Sequence, residues 1–246
     1  MVGLSCSSLQ IFIADVFTES PEGLDRKFVL NYYSRMRFIY NLLPLLQNAS
    51  TTAPHFSRTL SVLAAGTEKP INKKDLGLEK SFSGANCANH SVIMNDFMTE
   101  AFASRAPSTT FAHSYPGFVN TGLTRELPWW ARMAAKALMP IISPFSVSQE
   151  ETGERQLFHA TSGIYKPVQP VTGFSTASGV SLSKELTIAE GADGKAGSGA
   201  FYVNWNGDIT PQKAFVREYR QEGYAKMIWE HTMAVFERVD KVIGAN

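Results

Sequence analysis

The sequence predicts an α/β fold, a truncated Rossmann-like arrangement with a mostly parallel sheet flanked by helices. Three observations carry that expectation. Long helical patterns alternate with short apolar runs along the chain. The run from 109 to 114 leads directly into Tyr115-Pro116-Gly117-Phe118-Val119-Asn120-Thr121, an order that suits a strand end opening onto a ligand crevice. No phosphate-binding glycine loop precedes it.

Taken in order, Ser20 followed by Pro21 and Glu22 reads as an N-cap with proline at the first helical position. Leu24, Phe28, Tyr32, Phe38, Ile39, Leu42, Leu43 and Leu46 recur at helical spacing, which predicts a helix over 21 to 47 that ends near Pro44 to Asn48. Residues 59 to 66 read as a short buried strand closed by Gly66, followed by a polar loop. A second long helix is expected over 83 to 104, then the strand at 109 to 114. Residues 122 to 160 read as helical pieces split by prolines, and 163 to 200 as an irregular Pro/Gly/Ser/Thr-rich stretch. Phe201 to Trp205 offers one more strand, and a closing helix is expected over 212 to 242.

At 246 residues and 44% hydrophobic content the chain reads as one domain, 1 to 246, with a core over 18 to 160 and a C-terminal strand and helix region over 161 to 246. Lys plus Arg total 23 against 22 acidic residues, so no global field points to nucleic acid, and a small neutral, hydrophobic ligand suits that balance better. Cys6 and Cys87 are too few for a disulfide framework and lack zinc spacing. A reducing, cytoplasmic setting is expected, without a signal peptide. The apolar stretch 129 to 145 is interrupted by Arg132, Lys136, Pro140 and Pro144, which argues against a membrane span. The five histidines show no HxxxH or HxH spacing, so no metal is expected.

Several of these elements are in the order of a known family. Asn31 with Leu43-Pro44, the strand ending Ala65-Gly66, and Pro116-Gly117 with Val119 and Thr121 resemble the structural asparagine helix, the serine-bearing strand and the PGxVxT loop of short-chain dehydrogenases/reductases. Over roughly residues 18 to 240 the chain resembles the C-terminal two-thirds of that family, in a divergent form common in fungal genomes. The resemblance implies a Rossmann-like fold and places Phe82 and Asn86 where the family carries its catalytic tyrosine and lysine, with Leu63 at the serine position. Neither the TGxxxGxG loop nor the tyrosine-lysine pair has a counterpart here. The only glycine-rich run, 191 to 199, precedes a strand instead of following one, so it reads as a loop.

Without those groups, catalysis would fall to other residues of the old crevice. Asn86 and His90 lie one turn apart on one helix face, with Cys87 beside them, so His90 could serve as a general acid or base. A hydrogen-bonded structural histidine fits the same pattern. By strand alternation one or two of His113, Ser114 and Tyr115 should point into the crevice, and Tyr115 is the expected ligand contact. Asp96 and Glu100 could pair as carboxylates, though a solvated helix face explains them as well. Substrate contacts are expected from Asn31, Phe82, Pro116, Gly117 and Thr121, and from Trp129 and Trp130 on a lid.

Three functions follow from this reading. The first is an isomerase, cyclase or dehydratase that acts without a cofactor on a hydrophobic secondary metabolite. The second is an NAD(P)-dependent oxidoreductase, NADP being the alternative cofactor, whose N-terminal third lies outside this chain. The third is a non-catalytic dimerising protein. A homodimer through helices 21 to 47 and 83 to 104 is implied by the resemblance, and association through a sheet edge beside residues 7 to 17 is its rival.

Overall fold

The computed structural model describes residues 16 to 51, 57 to 119, 129, 130, 133, 146 to 169, 180 and 186 to 244. Asp25, and not Ser20, caps the first helical run. Its carboxylate accepts from the backbone N–H groups of Lys27 and Phe28 at 2.9 and 3.0 Å and, through its other oxygen, from that of Thr18 at 2.8 Å. Ser20 and Pro21 belong instead to a turn closed by Gly23, whose φ is +74°. One helical column then runs through α1 (Arg26–Phe28), a π-helical segment (Val29–Tyr33) and α2 (Ser34–Thr51). Pro44 lies inside α2 and does not end it, because proline deletes only one backbone donor and the flanking residues continue the helix.

Strands β1 (Arg58–Val62), β2 (Thr110–Ser114) and β3 (Ala200–Val203) form a parallel sheet in the order β1-β2-β3, with Leu60 opposite Ala112 and Ala112 opposite Phe201. Parallel neighbours need a crossover, and α3 (Gly84–Arg105), capped by Ser83, supplies it between β1 and β2 as the sequence predicts. Beyond Val62 the chain turns at Ala64 to Gly66, so the strand is shorter than the 59 to 66 expected. Among the described residues β1 has a neighbour on one side only. A cavity of about 250 Å³ lies between that edge and α2, lined by Phe38, Ile39, Leu42, Leu46, Thr59 and Leu60.

Side chains alternate across the sheet. Phe111, Ala200 and Tyr202 join the larger core with Ile93, Phe97 and Phe102 of α3, while Ala112, Phe201 and Val203 pack with Ile164 and Tyr165 on the other face. On that second face lies α4 (Gln149–Thr161), capped by Ser148. The expected closing helix is two, α5 (Ala214–Gln221) and α6 (Tyr224–Gly244), broken where Gly223 adopts φ +80°. α6 packs along α3, where Phe97 meets Tyr224 and Phe102 meets Trp229. The apolar surface of α3 is thereby used inside the chain, whereas α2 keeps Phe38, Tyr40 and Leu45 exposed. Among the described residues no helix is long and apolar enough to cross a membrane.

Candidate active site

The C-terminal ends of parallel strands are where open α/β sheets meet ligands. Here that rim is built from Tyr115 to Val119 after β2 and Asn204 to Trp205 after β3. The Tyr115 backbone N–H donates to the Val203 carbonyl at 2.8 Å, which continues the ladder one residue past β2. Tyr115 itself is half-buried, and burial raises its phenol pKa above the ordinary value. Pro116 then admits Gly117, whose φ of +83° is a left-handed conformation open mainly to glycine. A side chain at Gly117 would also press on Val147 at 3.1 Å and Trp205 at 3.2 Å. The Arg155 guanidinium stacks on the Trp205 ring at 4.2 Å, so α4 and the β3 end close one side of the rim. Trp129 and Trp130 are exposed, at 77% and 63%. Thr121, the expected hydroxyl of this loop, lies outside the described residues.

The residues expected on the second helix are placed differently from one another. Phe82 packs edge-on against Phe17, with ring centroids 5.5 Å apart, and under the Lys27 ammonium. The Asn86 amide donates to the Ser81 carbonyl at 2.7 Å. His90 is buried: its Nε2 accepts from the Asn72 backbone N–H at 3.3 Å, and Phe28 covers its ring. Burial lowers the His90 pKa to about 4, against the opposing pull of the Leu76 backbone and Asp75. The imidazole is therefore neutral near pH 7, and it props the loop at 72. Cys87 is fully buried and its thiol is pushed up to about 12, so it is no thiolate nucleophile. Asn31 sits in the π segment, where its Nδ2 donates to the Lys27 carbonyl at 2.8 Å and its buried Oδ1 has no partner.

One buried pair escaped the sequence reading. His113 Nδ1 and Asp96 Oδ1 lie 2.6 Å apart with both side chains fully buried. His113 Nε2 accepts from the Ala64 N–H at 3.2 Å, so the ring proton sits on Nδ1 and is donated to Asp96. Burial, with Glu68 and Glu100 adding to it, holds Asp96 well above the usual carboxylate range, and burial pushes His113 down to about 3. Glu100 does not pair with Asp96; it accepts from Arg220 Nη2 and Nε, at 2.7 and 2.8 Å, and from the Tyr202 hydroxyl. The available signal was the apolar run around Asp96, formed by Val92, Ile93, Met94, Phe97 and Met98, which leaves it no polar stripe to share; the structure buries residues 90 to 99, while Glu100 is only partly buried. This pair ties α3 to the end of β2 and lies beneath the rim.

The resemblance implies a dinucleotide, and the glycine-rich run 191 to 199 does not offer its pyrophosphate a cradle. In the run 191 to 199 the amides of Gly191, Gly194, Gly197 and Gly199 already donate to Lys195, Gly191, Ala189 and Lys166 carbonyls, which leaves none aimed outward. The run folds back on itself through the Glu190 to Ala196 bridge before entering β3, as the loop reading expects. No cluster of three metal-ligating side chains occurs among the described residues.

No protein-family model matches the chain. It is 39% identical to the oxidoreductase AN1596 of Emericella nidulans over 89% of this chain and 64% of that protein. It is 34% identical to the oxidoreductase andH of Emericella variicolor, over 90% of this chain and 63% of that one. To the short-chain dehydrogenase/reductase SAT2 of Stachybotrys chartarum it is 26% identical, over 90% of this chain and 61% of the relative. The chain thus spans a little under two thirds of the length of these relatives. The chain is thus similar over most of its length to fungal proteins named as oxidoreductases and, at lower identity, to one named as a short-chain dehydrogenase/reductase, and its small parallel sheet flanked by helices is consistent with a Rossmann-like fold.

Proposed function

We propose that the crevice at the ends of β2 and β3 takes a small hydrophobic molecule and that this chain moves a proton on it, as an isomerase, cyclase or dehydratase would, with Tyr115 as the acid. The observation that carries this reading is the use made of Phe82 and Asn86. At the positions where the resemblance puts a proton donor and its lysine, one side chain packs against an aromatic ring and the other holds a backbone carbonyl. Tyr115 is the half-buried hydroxyl at the strand end, and its raised pKa keeps the phenol protonated near neutrality. A phenol that gives up its proton must recover one, and partial exposure lets solvent return it.

The similarity to proteins named as oxidoreductases favours a second reading, an oxidoreductase to which this chain contributes the substrate side, with NAD(P) as the cofactor that the resemblance implies. Calorimetric titration with NADPH and NADH separates the two. Weak or undetectable binding is expected, and micromolar affinity for either would overturn the proton-transfer reading. With a substrate in hand, Tyr115→Phe should lower turnover by roughly 10²-fold, the scale of losing a general acid. Unchanged turnover at equal melting temperature would remove Tyr115 from the chemistry.

A further inference from the structure

The inner side of α4 carries polar groups that the fold leaves unsatisfied. Ser114, fully buried at the last position of β2, donates its hydroxyl to Gln156 Oε1 at 2.8 Å. That bond fixes the amide, and the opposite atom, Gln156 Nε2, is buried without a hydrogen-bond partner. Turning the amide over exchanges the two atoms and still leaves one unpartnered. One helical turn earlier, on the same face, Thr152 Oγ1 is buried and equally unpartnered. Both groups lie on the helix that closes the rim through Arg155 and Trp205.

Buried polar atoms in folded proteins nearly all find partners, so two unpartnered atoms on one helix face call for an explanation. We infer that Gln156, oriented by Ser114 and assisted by Thr152, is the recognition group for an oxygen, ketone or hydroxyl, on the otherwise apolar molecule bound in the crevice. Gln156 Nε2 would donate to a ketone, and Thr152 Oγ1 can either donate or accept, which extends the site to alcohols. The inference rests on the proposed crevice and adds the ligand's chemical class: an oxygenated hydrophobic molecule rather than a plain hydrocarbon.

The probes are 1-indanone and indane, one bicyclic skeleton with and without the ketone, measured on the full chain by ligand-observed NMR titration. The ketone should bind about tenfold more tightly, the scale of one net hydrogen bond to a buried donor. Gln156→Leu should erase that preference. Equal binding of the two probes, or a preference that survives Gln156→Leu, would overturn the role of Gln156 while the crevice stands. Failure of both probes to bind up to their solubility would overturn the crevice and this inference together. Should Gln156→Leu fold poorly, judged by its melting temperature, the unmodified protein still decides: the Gln156 side-chain amide resonances should shift with 1-indanone and not with indane. Their staying fixed under both probes would refute the assignment. Thr152→Val should weaken the ketone preference in part.

Discussion

Gly117 is the residue on which the rim depends most directly. It combines a φ of +83° with neighbours at 3.1 and 3.2 Å from any added Cβ. Gly117→Ala should therefore cost about 1 to 3 kcal/mol from the strained backbone alone, with the clash against Val147 and Trp205 added. Equilibrium urea unfolding would measure it, and a variant as stable as the parent would show that the loop relaxes freely. His90 differs in kind. Because its buried ring packs against Phe28 and its Nε2 accepts from the Asn72 N–H, His90→Ala should lower stability by about 1 to 3 kcal/mol, the scale of emptying a buried site and losing one hydrogen bond. At matched folded fraction its turnover should stay near that of the parent. A large loss of turnover with unchanged stability would return His90 to the chemistry.

At the level of elements, the helical column from Arg26 to Thr51 is anchored by one carboxylate. Asp25 satisfies three backbone donors at once, Thr18, Lys27 and Phe28, so it both caps α1 and pins the incoming strand-like segment. Asp25→Ala should destabilise the protein by about 1 to 2 kcal/mol, near the upper end for N-caps, while Asp25→Asn retains one acceptor oxygen and should cost less. Thermal unfolding of both variants checks the order, and equal losses would assign the effect to charge instead of capping. The Ser20-Pro21 pair is a good local N-cap signal, yet Asp25 prevailed because Leu24 and Phe28 are buried and the helix must begin where they face the core. Gly223 shows the same logic at the other end, where a left-handed residue turns one periodic pattern into α5 and α6.

For the whole molecule, acid sensitivity follows from four imidazoles, those of His90, His113 and His159 buried and that of His231 partly so. His90, His159 and His231 are lowered to about 4 and His113 to about 3, in each case first by burial. Each ring takes up a proton near pH 6.5 when unfolded and only near pH 4 or below when folded, so the unfolded state binds more protons between those values. Stability is complete above about pH 6.5 and falls as pH drops toward 4, by up to about 1.4 kcal/mol per pH unit for each histidine. Asp96, raised by burial, works in the opposite direction above its ordinary 3.8, but it is one group against four. Melting temperatures from pH 7.5 to 4 should therefore decline steeply below 6.5. A flat profile would mean that the rings are hydrated in solution. As to association, the apolar surface of α3 is spent on α6, whereas Phe38, Tyr40 and Leu45 remain exposed on α2. A homodimer, if formed, should be weakened by Leu45→Glu and scarcely affected by changes on α3, as light scattering at tens of micromolar would tell.

What could be read from the chain alone was set by periodicity and by residues whose conformational demands are local. The helix at 83 to 104, the strand at 109 to 114, the parallel α/β class and the Pro116-Gly117 turn all carry their signal within a few neighbours, because burial period and positive φ are encoded residue by residue. The extent of the first helix past Pro44, the choice of Asp25 as its cap and the split at Gly223 were decided by packing between distant segments. The site divides in the same way. The position of Tyr115 at a strand end was legible from its place before Pro-Gly, but the union of Asp96 with His113, of Ser114 with Gln156, and the enclosure of His90 by residues 72 to 78 join positions apart in sequence. Only the closing of the sheet against α3 on one face and α4 on the other brings those side chains within hydrogen-bond reach.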